Sequence, residues 1–61
     1  MSSLILVVDD EAPVREMIGD ALSLAGYRTL SASDGLEALN LLRSNSVDLI
    51  VSDINMPKLD R

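Results

Sequence analysis

Two apolar, β-rich stretches of this chain end directly in aspartate, and this pattern restricts the folds open to it. One spans Leu4–Val8 and stops at Asp9 and Asp10, and the other spans residues 47–52 and stops at Asp53. Continuous apolar runs of this kind are typical of strands that are covered on both faces of a sheet. If the two strands were parallel neighbours, their carboxylates would meet at one edge. Such a cluster would need a bound cation or a shifted pKa, because like charges repel.

The segment after the first strand predicts a helix over residues 13–25. Pro13 suits the first helical turn, where its missing N–H costs no hydrogen bond. Gly26 suits the residue after the helix end, which commonly takes a left-handed conformation. An apolar stripe at helical spacing joins the two ends. Its members are Val14, Met17, Ile18, Ala21, Leu22 and Ala25.

A second strand and a second helix are predicted between residues 27 and 45. Residues 27–32 mix polar and apolar side chains, as a strand at the edge of a sheet would. The helix is expected to begin near Asp34, because Asp34 and Glu37 have the spacing of a capping box. Asn45 is expected to close it. The residues predicted to face the sheet are Ala38, Leu39 and Leu42.

Strands that alternate with helices predict right-handed βαβ crossovers and a parallel sheet. We therefore expect an α/β fold of the flavodoxin type, a doubly wound sheet with strand order 2-1-3 and helices on opposite faces. In that arrangement the ligand crevice lies beyond the carboxyl ends of the first and third strands. Those ends carry Asp9, Asp10 and Asp53.

These acids suit phosphoryl chemistry that depends on a hard cation. The chain has no Cys and no His, so a bound metal ion would take oxygen ligands, as Mg²⁺ does. Asp53 is the candidate nucleophile, because an aspartate carboxylate can form an acyl phosphate. Asp9 and Asp10 are the candidate metal ligands, since they end the neighbouring strand.

Each acid also has a simpler interpretation. Asp9 and Asp10 precede a helix, where carboxylates cap free amides and complement the helix dipole. Asp53 by itself could start a turn. The conjunction favours a site, because acids end both central strands and no acid ends the second strand. Asp48 enters a strand rather than ending one, and it is expected to be solvated.

The charge and hydropathy of the chain exclude two classes of partner. The net charge is −5 and the five Lys and Arg residues are scattered, which argues against direct binding to nucleic acid. The longest apolar run is five residues, whereas about 20 are needed to span a membrane. No signal-peptide pattern opens the chain. A soluble, cytoplasmic protein is therefore expected.

Four segments carry a resemblance to a known family. They read LVVDDE at 6–11, GY at 26–27, ASDGLEAL at 32–39 and DLIVSDINMP at 48–57. In this order and at this spacing they resemble the receiver domain of two-component response regulators. The resemblance implies that Asp53 accepts a phosphoryl group from a histidine kinase or a phosphotransfer protein. It also implies that Asp9, Asp10 and Asp53 bind Mg²⁺ together with the backbone carbonyl of Asn55, with Asp10 binding more directly and Asp9 largely through water.

The resemblance covers residues 1–61 as the amino-terminal half of such a domain. The Ser or Thr and the Lys that complete the family's site have no counterpart in this chain, so phosphoryl transfer to Asp53 is expected to be impaired. The free edge of the third strand predicts self-association, most simply as a twofold dimer that is joined through this strand or by exchanged elements.

In the signalling role the chain is expected to be a phosphoacceptor and not an enzyme. Three other functions are alternatives to it. One is a receiver-like half-domain that only self-assembles, without phosphotransfer. Another is an enzyme of the haloacid dehalogenase type, which wants two acids one residue apart after the first strand, whereas Asp9 and Asp10 are adjacent. The third is a flavin or nucleotide binder, which would need a phosphate-binding loop rich in Gly, Ser or Thr where Glu11 and its neighbours stand.

Overall fold

The computed structural model describes residues 3–52, which form a three-stranded parallel sheet and two helices. The elements are β1 (Leu4–Val8), α1 (Ala12–Leu24), β2 (Arg28–Ala32), α2 (Gly35–Ser44) and β3 (Leu49–Ser52). The strand order is β2-β1-β3. The predicted α/β class, the parallel sheet and the order 2-1-3 are therefore confirmed, and β2 lies at the edge of the sheet as expected.

The central strand β1 pairs in register with both neighbours. Val8 lies opposite Ala32 of β2 and opposite Ser52 of β3, so the three strands end at the same level. All five residues of β1 are buried. A strand covered on both faces reads as a continuous apolar run, which explains the sequence of β1.

The two helices cover opposite faces of β1 and β2. On one face, Leu6 and Val8 pack with Ala38 of α2 in the main core cluster. Side chains alternate between faces along a strand, so the other face carries Thr29, the register partner of Ile5. There α1 passes close, since a Cβ at Gly19 would lie 3.9 Å from the Thr29 Oγ1 atom.

Helix α1 begins and ends one residue earlier than predicted, and more of its side chains are exposed than the apolar stripe predicts. Glu11 occupies the N-cap position without a side-chain capping bond, and Gly26 takes the predicted left-handed conformation with φ of 97°. The predicted apolar stripe is only partly correct. Its half-buried members are Val14, Ile18 and Leu22, and its exposed members are Met17, Ala21 and Ala25. Residues spaced by four form one line along a helix, and this line, with Gly19 beside it, faces the narrow sheet.

Helix α2 begins at Gly35 after the predicted cap, and Asn45 closes it by donating from Nδ2 to the Leu41 carbonyl oxygen at 3.0 Å. Ala38 is buried and Leu42 packs against the core as predicted. The prediction for Leu39 is wrong, because this side chain is 56% exposed. Leu41 packs on the core instead, since positions 38, 41 and 42 share one helical face and position 39 does not.

Strand β3 begins at Leu49, two residues later than predicted. Its pairing partner within residues 3–52 is β1, and both helices lie over β1 and β2. Leu49 and Ile50 are consequently 56% and 48% exposed. In the same part of the chain, neither helix is long and apolar enough to cross a membrane.

Candidate functional site

Asp9 follows β1 directly and is held in a fixed position by three hydrogen bonds. Its backbone N–H donates to the Ala32 carbonyl at 3.1 Å, which continues the ladder between β1 and β2. Its carboxylate Oδ1 accepts from the Glu11 backbone N–H at 2.9 Å. Arg15 donates from Nη1 to the Asp9 carbonyl oxygen at 2.7 Å. Asp9 is 5% exposed, the only buried polar or charged residue among residues 3–52.

Asp9 and Asp10 differ in environment although they are adjacent. Asp10 is exposed, as is Glu11. The bond from the Glu11 amide to Asp9 is a local turn contact in which a carboxylate satisfies an amide two residues along. The capping interpretation is therefore partly correct for Asp9, because one of its oxygen atoms has this structural role. Asp10 is the more accessible carboxylate for a ligand.

Arg15 is a residue of this region that the sequence reasoning did not identify. It lies one turn into α1 and reaches back to the carbonyl that ends β1. Its guanidinium brings positive charge next to the acidic turn, and it also slightly lowers the pKa of Glu37 at the start of α2. The sequence signal for this role was the position of Arg15, four residues after Glu11. Residues four apart lie on the same side of a helix, so a cation at this position can reach back toward the acids.

The turn after β2 is occupied by helix-capping interactions. Asp34 accepts at Oδ1 from the Glu37 backbone N–H at 2.9 Å. Glu37 Oε1 accepts in return from the Ser33 backbone N–H and from the Ser33 hydroxyl, both at 2.8 Å. These two donors lower the pKa of the Glu37 carboxyl from its ordinary value of 4.5, the backbone donor contributing more. The predicted capping box is therefore only partly present, because Asp34 caps the Glu37 amide but Glu37 accepts from Ser33 rather than from the amide of Asp34.

The end of β3 is described as far as Ser52, which is the register partner of Val8. The next residues in sequence are Asp53 after β3 and Asp9 after β1. Asp53 and Asn55 lie outside the described residues, so their assignment as phosphoacceptor and carbonyl ligand stays a prediction.

Asp9 and Asp10 supply the right kind of donor for Mg²⁺ but not a complete site. Carboxylate oxygens are hard ligands of the type this ion prefers. Within residues 3–52, no group of three His, Cys, Asp or Glu side chains is placed to hold a metal ion. An ion held here would take its other oxygen ligands from water, from backbone carbonyls or from residues beyond that range, and the predicted contributions of Asp53 and Asn55 are of this last kind.

Comparison with known proteins gives one consistent result. The family model described as the response regulator receiver domain matches residues 5–60. The sensor histidine kinase RcsC of Salmonella typhimurium is 46% identical over 57 residues, which cover 93% of this chain and 6% of that protein. The probable transcriptional regulator ycf27 of Guillardia theta is 50% identical over 56 residues, covering 92% of this chain and 22% of that protein.

The fold matches solved structures at similar identity. The chemotaxis response regulator CheY4 of Vibrio cholerae superimposes with a TM-score of 0.87 and 40% sequence identity, over 93% of this chain and 48% of that one. The chain thus spans about half the length of this structural neighbour and less than a quarter of the two relatives above.

Proposed function

The chain belongs to the response regulator receiver domain family, and we propose that Asp53 is its phosphoacceptor, taking a phosphoryl group from a histidine kinase or a phosphotransfer protein. The observation that carries this proposal is the parallel register of β1 and β3, in which Val8 lies opposite Ser52. Each of these residues is followed by an aspartate. Carboxyl ends of parallel strands at a switch in strand order are where such sheets bind ligands.

In the proposed reaction, a carboxylate oxygen of Asp53 bonds to phosphorus as the bond from phosphorus to the donor breaks. The incoming group is anionic, and the acids at this edge would repel it. Bound Mg²⁺ supplies the positive charge that offsets this repulsion. Asp10 is the proposed direct ligand because it is exposed. Asp9 is proposed to act largely through water, since one of its oxygens already accepts from Glu11, and Asn55 to contribute its backbone carbonyl.

Arg15 has a supporting role in this proposal. By donating to the Asp9 carbonyl at 2.7 Å, it fixes the backbone turn on which both metal-binding carboxylates stand. The turn is therefore formed before any ion arrives, and preorganised ligands lose less conformational entropy on binding. The proposed setting is the cytoplasm, with no membrane or nucleic-acid contact by this segment.

Metal binding and phosphorylation are tested separately. In ¹H–¹⁵N NMR spectra of the chain titrated with Mg²⁺, we expect the amide signals of Asp9, Asp10 and Glu11 to move. Asp10→Asn should weaken the response because it removes a charged ligand. Asp20→Asn, at an exposed acid on α1, should leave the response unchanged. Equal responses in the two variants would contradict the assignment of Asp10.

Phosphorylation is measured by peptide mass mapping after incubation with acetyl phosphate and Mg²⁺. In the 61-residue chain we expect a minor population with one phosphoryl group on Asp53. The adduct should disappear in Asp53→Asn and after chelation of Mg²⁺. An adduct on another residue, or none at any donor concentration, would contradict the proposal.

Self-association without phosphotransfer is the second candidate function, and the exposure of β3 favours it. Leu49 and Ile50 are about half exposed, and a strand edge with apolar neighbours is a template for pairing with another chain. Light scattering after size exclusion should then detect a dimer that Ile50→Lys dissociates. Leu36→Lys, at an exposed leucine of α2, is the matched control and should not. Asp53→Ala should leave the dimer intact, and a monomeric wild-type chain would refute this candidate.

A further inference from the structure

Asp48 joins the starts of β1 and β3 by two short hydrogen bonds to one residue. The Leu4 backbone N–H donates to the Asp48 carboxylate Oδ2 at 2.8 Å. The Asp48 backbone N–H donates to the Leu4 carbonyl oxygen, also at 2.8 Å. The two residues are 44 apart in sequence. Asp48 is exposed, as expected of a solvated residue. Its carboxylate also accepts a backbone amide, a contact that the sequence did not predict.

This contact lies just outside the regular pairing of the two strands. Matched pairs begin at Ile5 with Leu49, one residue further along each strand. Leu4 is buried, and its amide would lack an acceptor on this side without Asp48. A bond to an ionised acceptor is about twice as strong as a neutral one. The side chain of Asp48 thus ends the ladder where a backbone carbonyl would otherwise be needed.

The rest of β3 does little to choose its own register. In most strands, alternation of apolar and polar residues decides which side chains face the core, and a slip by one residue would expose them. Leu49, Ile50 and Val51 are consecutive apolar residues, and two of them are about half exposed. A shift by one residue would exchange one apolar side chain of β3 for another, so burial within β3 discriminates weakly between registers. The apolar residue that packs on the core in this region is Val47, just before Asp48.

We propose that Asp48 is a positioning residue that sets the register of β3 on β1, and so the level at which Ser52 ends β3 beside Val8. Asp53 comes five residues after Asp48, as Asp9 comes five residues after Leu4. Parallel strands advance by nearly the same rise per residue, so a bond between Leu4 and Asp48 matches the ends of the strands that lead to Asp9 and Asp53. The inference rests on the proposed function, because the register matters for function only if the ends of β1 and β3 lead to a common site.

Hydrogen exchange in the 61-residue chain tests the bond itself. Removing an ionised acceptor in Asp48→Ala should accelerate exchange of the Leu4 amide roughly 10- to 100-fold. Asp48→Asn keeps a side-chain oxygen without the charge and should give a rate between those of Asp48→Ala and wild type. Asp20→Ala is the control for loss of one exposed acid and should exchange as wild type does.

Register is read from cross-strand nuclear Overhauser contacts between β1 and β3. The wild type should show one set, with Val7 near Val51, and Asp48→Ala should add a second set displaced along the strand. Asp48→Asn should restore the single set. An Asp48→Ala chain that folds with one register and an unchanged Leu4 amide would overturn the proposal. If that variant does not fold, a Leu4 exchange rate in Asp48→Asn equal to that of wild type would overturn it instead.

The Mg²⁺ titration separates this inference from the function on which it rests. A positioning role predicts that the Mg²⁺-induced shift of the Asp53 amide falls in Asp48→Ala and recovers in Asp48→Asn, whereas a contribution to stability alone would leave that shift unchanged in the folded fraction. If wild type shows no Mg²⁺ response anywhere, the proposed function fails, while exchange and register still decide the role of Asp48.

Discussion

Strands β1 and β3 are both apolar and pair residue for residue, yet their environments differ sharply. Ile5 and Leu6 of β1 are 3% and 0% exposed, whereas their register partners Leu49 and Ile50 in β3 are 56% and 48% exposed. β1 has a strand on each side and a helix over each face. β3 has β1 beside it, and the described helices lie over β1 and β2. Both strands have the apolar composition of a buried strand, but the burial of each one depends on the strands and helices next to it.

The largest expected effect comes from making the same substitution in each strand. Val7 and Val51 are register partners, fully buried and half-buried respectively. Val7→Ala should lower the free energy of unfolding by roughly 2–3 kcal/mol, through lost apolar burial and the cavity that remains. Val51→Ala should lower it by less than about 1 kcal/mol. Urea denaturation monitored by circular dichroism measures both.

The same pair of variants can break the comparison. Equal losses would mean that β3 is as well covered in solution as β1, as it would be in a dimer joined through that strand. In that case the effect of Val51→Ala should grow with protein concentration, because association stabilises the folded state by mass action.

The next effect concerns α1, which helps to cover β1. Replacing either of two glycines by alanine should change the stability of the fold in opposite directions. Gly19 is in the helix, and an added Cβ would make only an ordinary contact with Thr29. Gly19→Ala should therefore stabilise the fold by up to about 1 kcal/mol. Gly26 has φ of 97° with open space around it, so Gly26→Ala should destabilise by about 1 kcal/mol through backbone strain alone. Thermal unfolding should show Tm changes of opposite sign, and a common sign would contradict the placement of α1.

The smallest effect is a pH dependence at the start of α2, the other helix that covers β1. The pKa of Glu37 is lowered in the folded chain by the amide and hydroxyl of Ser33. Its contribution to stability is therefore present above the unfolded value near 4.5 and is lost as the pH falls through the lower, folded value. Carbon-13 titration of the Glu37 carboxyl should show the depressed pKa.

Ser33→Ala provides the matched variant for this titration. It removes the hydroxyl donor and keeps the backbone donor, so the Glu37 pKa should rise only part of the way to its ordinary value. An unchanged pKa would mean that the hydroxyl does not donate to Glu37. Added salt should not abolish the contribution of the backbone donor to the lowered pKa, because this contribution is a hydrogen bond and not a distant charge.

Local signals predicted most of the fold, because they act over a few residues. Pro13 in the first turn and Gly26 after the last turn located α1, and Asp34 and Asn45 located the two ends of α2. The alternation of strands and helices predicted the observed strand order. Exposure was harder to predict. Periodicity identifies the apolar side of a helix but not how wide a surface it meets. For this reason the predicted stripe of α1 includes Met17 and the face of α2 predicted to meet the sheet includes Leu39, although both side chains are exposed.

The candidate site was predictable where it depends on strand ends and not where it depends on distant contacts. Asp9 and Asp10 stand at the end of the central strand as predicted, while Asp53 and Asn55 lie beyond the described residues. The partner of Asp48 is 44 residues away, and no local pattern could have revealed it. Arg15 was missed because its acceptor is a backbone carbonyl, which sequence does not distinguish from any other.

The central position of β1 also sets the order in which its surroundings can be completed. β1 precedes both of its sheet partners along the chain, since β2 begins at Arg28 and β3 at Leu49. A chain that emerges from the ribosome therefore presents its most apolar strand long before the second partner exists. Contacts between distant segments form slowly, because a long loop must close first. During that interval one edge of β1 lacks its sheet partner.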